Sequence, residues 1–234
     1  GSLGGFNEQQ MRYLLDYSAQ QSSGIAAWQR DTEHIEKAFV FAGMPARSGV
    51  TAALLVDAGA SGVDDILSGK DNYIEAYAPG AKADILLDKL GERYAIAHTT
   101  IKKWTVGGPI QAPLDALYAL LKRRPFEADQ VRKLVVKLGP RMGPVVNNRD
   151  MPDICVQHML AVMLLDKTAS FVAAHDKPRM QDPAVLKHRA KVELLFDPLV
   201  EPNIEARQAI VEVTLTDGTR LREHIKPVRG TPDN

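Results

Sequence analysis

The helical and the strand-forming patterns of this sequence occupy different parts of the chain. Residues 7 to 58 and 151 to 174 carry apolar residues at helical spacing. Four segments are predicted as strands: 130–138, 191–196, 208–216 and 219–226. The last two are joined by Asp217-Gly218, a strong signal for a two-residue hairpin. Because helices precede most of the strands rather than alternate with them, the sequence predicts an α+β fold of at least two layers.

Two further local predictions concern the first half of the chain. Proline lacks a backbone N–H, so Gly43-Met44-Pro45 predicts a corner between two helices. The second of these helices, about 46–58, is dense in alanine, valine and leucine and is predicted to be buried. Residues 94 to 100 predict a short β-like stretch.

The charge balance and the cysteine count exclude several classes of protein. Lys plus Arg and Asp plus Glu number 29 each in 234 residues, so the chain lacks the basic surplus of a non-specific nucleic-acid binder. The single cysteine, Cys155, excludes an intramolecular disulfide, a Cys-x-x-Cys zinc site and an iron–sulfur cluster. No two of the six histidines stand at i, i+4 spacing, and no glycine-rich nucleotide motif follows a strand. Neither a metal nor a cofactor is therefore expected.

The sequence also suggests a location for the protein. No apolar run approaches the roughly 20 residues that span a bilayer, and no signal peptide opens the chain. Together with the lone cysteine, these features predict a cytoplasmic protein with no membrane partner.

Three stretches, taken in order, are similar to segments of one protein family. The first is 37–55, which runs from Lys37 through Gly43-Met44-Pro45 to Ala52-Ala53-Leu54-Leu55. The second is Ile101-Lys102-Lys103-Trp104 together with 110–117, and the third is the closing hairpin segment 213–220. In these stretches the chain resembles the MmgE/PrpD family, which includes 2-methylcitrate dehydratases, cis-aconitate decarboxylases and an iminodisuccinate epimerase. The resemblance covers essentially the whole chain from about residue 5 onward.

The resemblance implies a two-part organisation. Residues 1–92 match the C-terminal helices of the family's all-helical domain, and residues 93–234 match its smaller α/β lid domain. Family members are longer than this chain, so the resemblance implies a C-terminal part of a longer protein, inactive alone. The alternative is an expression scar at Gly1-Ser2 and a genuine polar tail. Family members form homodimers, and a homodimer is expected here.

The family's reactions remove a proton next to a carboxylate of a small di- or tricarboxylate. By resemblance, Lys37 and Lys102 are the catalytic residues, because a buried lysine can serve as a base or as a cation for the developing charge. Lys103, Gln111, Arg149 and His34 are candidates for substrate binding. His34 precedes Lys37 by one helical turn, and Arg149 lies in a loop where it can clamp a carboxylate.

Two departures from the family's pattern keep the reaction type open. Many relatives carry a histidine where this chain has Val40, and another where it has Gln111, which cannot exchange protons at neutral pH. The first hypothesis is a metal-independent lyase of the 2-methylcitrate dehydratase type. An epimerase or isomerase on the same scaffold is the second.

Non-catalytic interpretations remain for the same residues. Lys37 follows Glu33 at i, i+4 spacing, which suits a solvated helical ion pair. Lys102 and Lys103 beside Trp104 suit the basic end of a strand, with a lysine cation stacked on the tryptophan ring. The apolar helices at 46–58 and 151–174 suit an assembly interface in a protein without catalysis.

Overall fold

A computed structural model describes residues 1–22, 24–31, 33, 35–200 and 207–232 of the chain. The chain divides into two compact units, Gly1–Tyr94 and Ala95–Asn234. About half of it is helical, and the described residues include a four-stranded mixed sheet. The fold is therefore α+β, as predicted.

The first unit is helical. Its α-helices are α1 (Glu8–Gln20), α2 (Glu36–Asp57) and α3 (Tyr73–Tyr77). The start of α1 is fixed by a capping box, in which the side chains of Asn7 and Gln10 each accept the other's backbone N–H. α1 packs against α2, and the Tyr17 hydroxyl donates to the Ser61 carbonyl beyond the end of α2.

Helix α2 runs through Gly43-Met44-Pro45 without a corner, so the predicted break is wrong. A π-helical turn over Phe39–Gly43 lies just before the proline, and the Met44 N–H donates to the Phe39 carbonyl five residues back. Pro45 then stands in the first turn of the α-helical part, where a missing N–H costs least. The changed hydrogen-bond pattern accommodates the proline without ending the helix.

Most of α2 is exposed in this unit, so the prediction that 46–58 is buried is also wrong. Ser48, Ala52 and Val56 are buried and lie four residues apart, on one face. Val50 and Leu54 are 62% and 64% exposed. In the described part of the unit α1 packs on this helix, and one packed helix covers one stripe.

By length and composition, α2 is also long and apolar enough to cross a membrane. Its 22 residues contain an 18-residue window with a mean hydropathy of 1.5, of which 17% is buried. The expectation that no run is long enough to span a bilayer is therefore wrong by this criterion, because α2 continues through Pro45. Core helices of soluble proteins meet the same criterion.

The second unit is built on a sheet with the strand order β2-β1-β3-β4. The strands are β1 (Val131–Leu138), β2 (Val192–Phe196), β3 (Ala209–Leu215) and β4 (Arg220–Ile225). β1 pairs parallel with β2 and antiparallel with β3, which pairs antiparallel with β4. All four strands are confirmed. A hairpin does join β3 and β4, but its loop is three residues long rather than two. The Leu215 N–H donates to the Thr219 carbonyl, the Gly218 N–H donates to the Leu215 carbonyl, and Gly218 has φ +88°.

Helices complete the second unit. They are α4 (Gln111–Arg123), α5 (Val156–Asp166), α6 (Phe171–His175) and α7 (Pro183–Arg189). α4 packs against β3, β4 and α5, and α5 packs against α7. The predicted apolar stretch 151–174 is thus divided into α5 and α6, and Lys167 ends α5 in the left-handed conformation. α5 is buried along residues 156–164, so it forms core within its own unit rather than a surface for assembly.

Residues 94 to 100 do not form the predicted strand. A 3₁₀ turn covers Ala95–His98. Isolated β-forming residues without a neighbouring strand cannot satisfy their backbone groups in a ladder, and the nearby Ile101 bonds instead to Gly230.

Candidate functional site

Lys37 lies in the first turn of α2, in the first unit. It is exposed, and its Nζ lies 4.9 Å from the centroid of the Trp28 ring. α2 begins at Glu36, so Glu33 precedes the helix and the helical i, i+4 geometry does not apply to this pair. His34, the candidate beside Lys37, lies outside the described residues.

Lys102 lies in the second unit, in a segment whose backbone is held on both sides. Before it, the Ile101 N–H donates to the Gly230 carbonyl at 2.7 Å. After it, the Trp104 N–H donates to Gln111 Oε1 at 3.0 Å. Lys102 itself is exposed. The fold therefore presents this lysine from a fixed backbone.

Gln111 holds the lysine motif rather than facing solvent. Its side chain is buried at the first position of α4. Oε1 accepts from the backbone of Trp104, and Nε2 donates to the carbonyls of Trp104 at 2.7 Å and of Val106 at 3.2 Å. The Gln111 amide therefore binds the backbone of Trp104 through both its oxygen and its nitrogen.

Lys103 is fixed by one carboxylate and two rings. Its Nζ lies 3.3 Å from Asp115 Oδ1, and 4.2 and 4.4 Å from the ring centroids of Trp104 and Tyr118. Asp115 also accepts the Trp104 indole N–H at 3.0 Å. The carboxylate is 6% exposed, and it is stabilised there because an indole donor and an ammonium both contact it.

Glycine is required where the motif meets the C-terminal segment. Gly230 has φ +80°, and a Cβ at this position would lie 1.8 Å from the Ile101 carbonyl oxygen. A side chain would therefore push the segment that carries Lys102 away from Gly230.

Lys103 and Asp115 belong to the lining of a cleft in the second unit, which we call the α4–β4 cleft. Its volume is about 690 Å³, within the range of small-molecule sites. It is lined by Lys103, Asp115, Tyr118, Ala119, Lys122, Arg123, Glu223, Ile225, Pro227 and Arg229. Of the sequence-predicted site residues, the structure places Lys103 in this lining.

Arg149 lies elsewhere in the second unit, in the loop before α5. Its backbone N–H, with those of His158 and Gln157, acts to lower the pKa of the Cys155 thiol. Burial raises the pKa of the Cys155 thiol despite these donors. Arg149 is not part of the cleft lining.

Sequence reasoning missed most of the cleft. Asp115, Tyr118 and Lys122 share one face of α4 at i, i+3 and i+7 spacing, so a helical projection of 111–123 would have grouped them. Glu223 and Arg229 come from the other end of the unit, and no local pattern connects them to α4. Within the described ranges, no group of three or more His, Cys, Asp or Glu is placed to hold a metal ion.

Comparison with known families assigns the chain. The model of the MmgE/PrpD N-terminal domain matches residues 1–86, and the model of the MmgE/PrpD C-terminal domain matches residues 104–234. The chain belongs to the MmgE/PrpD family. This family is typically enzymatic, of the dehydratase or lyase type. No curated protein matches the chain.

Proposed function

We propose that this MmgE/PrpD protein is a metal-independent lyase that dehydrates a small di- or tricarboxylate such as 2-methylcitrate. A base removes the proton on the carbon next to a carboxylate, the hydroxyl on the adjacent carbon leaves as water, and a carbon–carbon double bond forms. Cytoplasmic location and a homodimeric state belong to the same proposal.

The observation that carries the proposal is the fixed backbone around Lys102. The segment is held at Ile101 by Gly230 and at Trp104 by Gln111, while Lys102 remains exposed between them. A catalytic group has to be held in place if it is to lower a reaction barrier. Family membership supports a dehydratase-like reaction for a group held in this way.

Lys37 is the second catalytic residue of the proposal. It is exposed beside Trp28, in the first turn of α2 and just before the π-helical turn. Its role would be to neutralise a substrate carboxylate. Alternatively, Lys37 and Lys102 would share the acid and base roles, one removing a proton and the other donating one.

One observation favours an isomerase on the same scaffold. Expelling a hydroxyl is helped by an acid, and Gln111 stands where many relatives carry a histidine. Its amide is engaged with Trp104 and Val106 and carries no exchangeable acid proton at neutral pH. An epimerisation needs the proton to be removed and returned, without loss of water.

The natural protein that carries this sequence tests the proposal. It is incubated with citrate, 2-methylcitrate and, for the reverse hydration, cis-aconitate in the presence of a chelator, and conjugated double bonds are followed by ultraviolet absorbance and intact mass. We expect absorbance to rise with the first two acids and fall with cis-aconitate, and both changes to be lost in Lys37→Ala and Lys102→Ala. Lys82→Ala, an exposed lysine outside the motifs, serves as the matched control. Silence on all three acids with folded protein would contradict the dehydratase and favour the isomerase.

A further inference from the structure

The four-stranded sheet of the second unit has two edges that differ in how they are protected. In the described part of the chain, β2 lies at one edge and β4 at the other. An edge strand carries backbone N–H and C=O groups that a further strand can bond, and proteins commonly protect it with charged side chains or a covering group. An edge without this protection is a candidate for pairing with another strand.

The β4 edge is protected by charge and by a side chain of α4. The Arg123 guanidinium donates to the backbone carbonyl of Arg222 at 3.0 Å and lies 2.6 Å from the carboxylate of Glu223. Arg220 and Arg222 add cations to the same strand. A further strand at β4 would have to displace Arg123 and approach these cations.

The β2 strand is bonded to β1 through alternate residues. The Leu134 N–H donates to the Lys191 carbonyl at 2.9 Å. The Asp197 N–H donates to the Leu138 carbonyl at 2.8 Å. Because bonding alternates along a parallel pair, the odd-numbered residues of β2 face β1 and the even-numbered residues face the edge.

The β2 edge lacks the protection that β4 has. The residues that face it are Val192, Leu194 and Phe196. Among the described residues, no backbone group of another element bonds to their N–H or C=O groups. Leu195 and Phe196 are 40% and 47% exposed. The one charged side chain of the strand, Glu193, is already paired with Lys133 of β1, at 2.5 Å.

We infer that β2 pairs antiparallel with the β2 strand of a second copy of this chain. The two-fold axis passes at Leu194, which then faces its own counterpart, and Val192 faces Phe196 of the second copy. These are the hydrogen-bonded positions of the antiparallel pair, because their backbone groups point to the edge. Centring on Leu194 satisfies the outward groups of all three residues, which a shifted register does not.

The second copy fits this edge in charge as well as in hydrogen bonding. In the register centred on Leu194, Glu193 faces Leu195 of the second copy, so no two like charges meet. The formal net charge of the chain is zero, so two copies approach without long-range repulsion. Pairing of β2 with β4 of another copy is opposed by Arg123 and would extend into a filament, whereas β2 with β2 closes as a dimer.

This inference deepens the homodimeric state of the proposed function by naming the surface that joins the two copies, and it rests on that state but not on the reaction. A homodimer held by another surface would contradict the inference and leave the proposed function in place. A dimer joined at β2 that shows no dehydratase activity would do the reverse.

Sedimentation velocity of the 234-residue chain over a series of concentrations tests the pairing. The paired strands are short, so we expect a weak dimer whose proportion rises with concentration. Leu195→Glu places a glutamate opposite Glu193 of the second copy, twice across the two-fold axis, and is expected to weaken the dimer about tenfold. Leu195→Lys places the opposite charge there and is expected to dimerise about as tightly as the unsubstituted chain.

The two substitutions are matched, because both remove the same exposed leucine. A difference between them therefore reports the sign of the charge that faces Glu193. Arg220→Gln is the control at the other edge, since it changes the net charge by the same amount as Leu195→Glu, and it is expected to change dimerisation less than about twofold. Circular dichroism checks that each variant is folded.

Amide hydrogen exchange, followed by NMR, locates the contact without any substitution. The Leu194 N–H faces the edge, so its exchange is expected to slow as the concentration rises and the dimer forms. The Leu195 N–H faces β1 and is expected to be protected at every concentration.

Four results would overturn the inference. One is a chain that stays monomeric at every concentration. Another is equal weakening by Leu195→Glu and Leu195→Lys, which would show that no charge faces this position. A third is a dimer in which Leu194 exchange does not slow, which would place the contact elsewhere. The fourth is a Leu194 amide that is already protected in the monomer, which would show that the chain itself covers the edge.

Discussion

At the scale of single residues, Gly230 decides whether the lysine motif keeps its place. Gly230→Ala would introduce a Cβ 1.8 Å from the Ile101 carbonyl at φ +80°. We expect a loss of about 3 kcal/mol in the free energy of unfolding of the second unit, since strain and a backbone clash add. Trp28 and Trp104 are the two tryptophans of the chain, so Trp104 fluorescence in a Trp28→Phe background measures this unit during urea unfolding.

Gly218→Ala is the matched control for that substitution. Gly218 also has a positive φ, of +88°, but a Cβ there would meet nothing within 4 Å. It is expected to cost only about 1 kcal/mol, from backbone strain alone. Equal losses at the two glycines would contradict the close approach of Gly230 to Ile101.

His158 gives the second unit a dependence on pH. It lies buried in α5, and neither ring nitrogen has a hydrogen-bond partner within the described part of the chain. Burial, with a smaller contribution from the charge of Arg189, lowers its pKa from 6.5 to about 4. The unfolded state therefore takes up the proton first. The free energy of unfolding is therefore unaffected by His158 above about pH 6.5. It falls by up to about 3 kcal/mol as the pH approaches 4.

His158→Leu is expected to reduce this loss between pH 7 and pH 5. At pH 7.5 the substitution should be close to neutral, because it removes a buried polar ring without leaving a partner unsatisfied. Urea unfolding at several pH values measures both effects. The exposed His98→Leu serves as the control. An unchanged pH dependence in His158→Leu would show that other groups cause it.

At the scale of elements, α2 offers two valines in different surroundings. Val56 is 2% exposed and Val50 is 62% exposed. Val56→Ala is expected to destabilise the first unit by about 2 kcal/mol through lost burial and a cavity. Val50→Ala is expected to be neutral or slightly stabilising, because alanine is the better helix former. Hydrogen exchange of α1 and α2 amides, read by mass spectrometry, measures both. An equal loss at Val50 would show that this face of α2 is covered.

Elements defined by local pattern were predictable. The strands follow from runs of β-forming residues, and the turn between β3 and β4 follows from Asp217-Gly218. The continuity of α2 was not predictable. Proline usually ends a helix, but here the π-helical turn over Phe39–Gly43 accommodates Pro45. Its exposure was missed because composition shows that a helix is apolar but not which elements cover it.

The candidate site was predictable only where its parts are near in sequence. Lys102, Lys103 and Gln111 lie within ten residues, and the resemblance to a known motif identified them together. In the structure Gln111 forms hydrogen bonds with the backbone of Trp104, and these depend on how the loop between the two residues folds. The pair between Arg123 and Glu223 joins residues 100 positions apart. Such a contact leaves no signal in a local pattern.

At the scale of the whole molecule, one family model matches residues 1–86 and a second matches residues 104–234. The second unit contains its own core, its fixed lysine motif and a cationic cleft. The first contains Lys37, on a helix whose apolar surface is largely exposed. We propose that this chain serves an enzyme that takes a proton from a carbon next to a carboxylate, with Lys102 as a participating group.

Deuterium exchange at that carbon tests this proposal. The natural protein that carries this sequence is incubated in D₂O with 2-methylcitrate or citrate, and the acid and any product are examined by proton NMR. We expect loss of the proton signal next to a carboxylate, with an unsaturated product for a dehydratase and without one for an isomerase. We expect no exchange in Lys102→Ala and normal exchange in Lys82→Ala. Exchange that persists unchanged in Lys102→Ala would contradict the role proposed for Lys102.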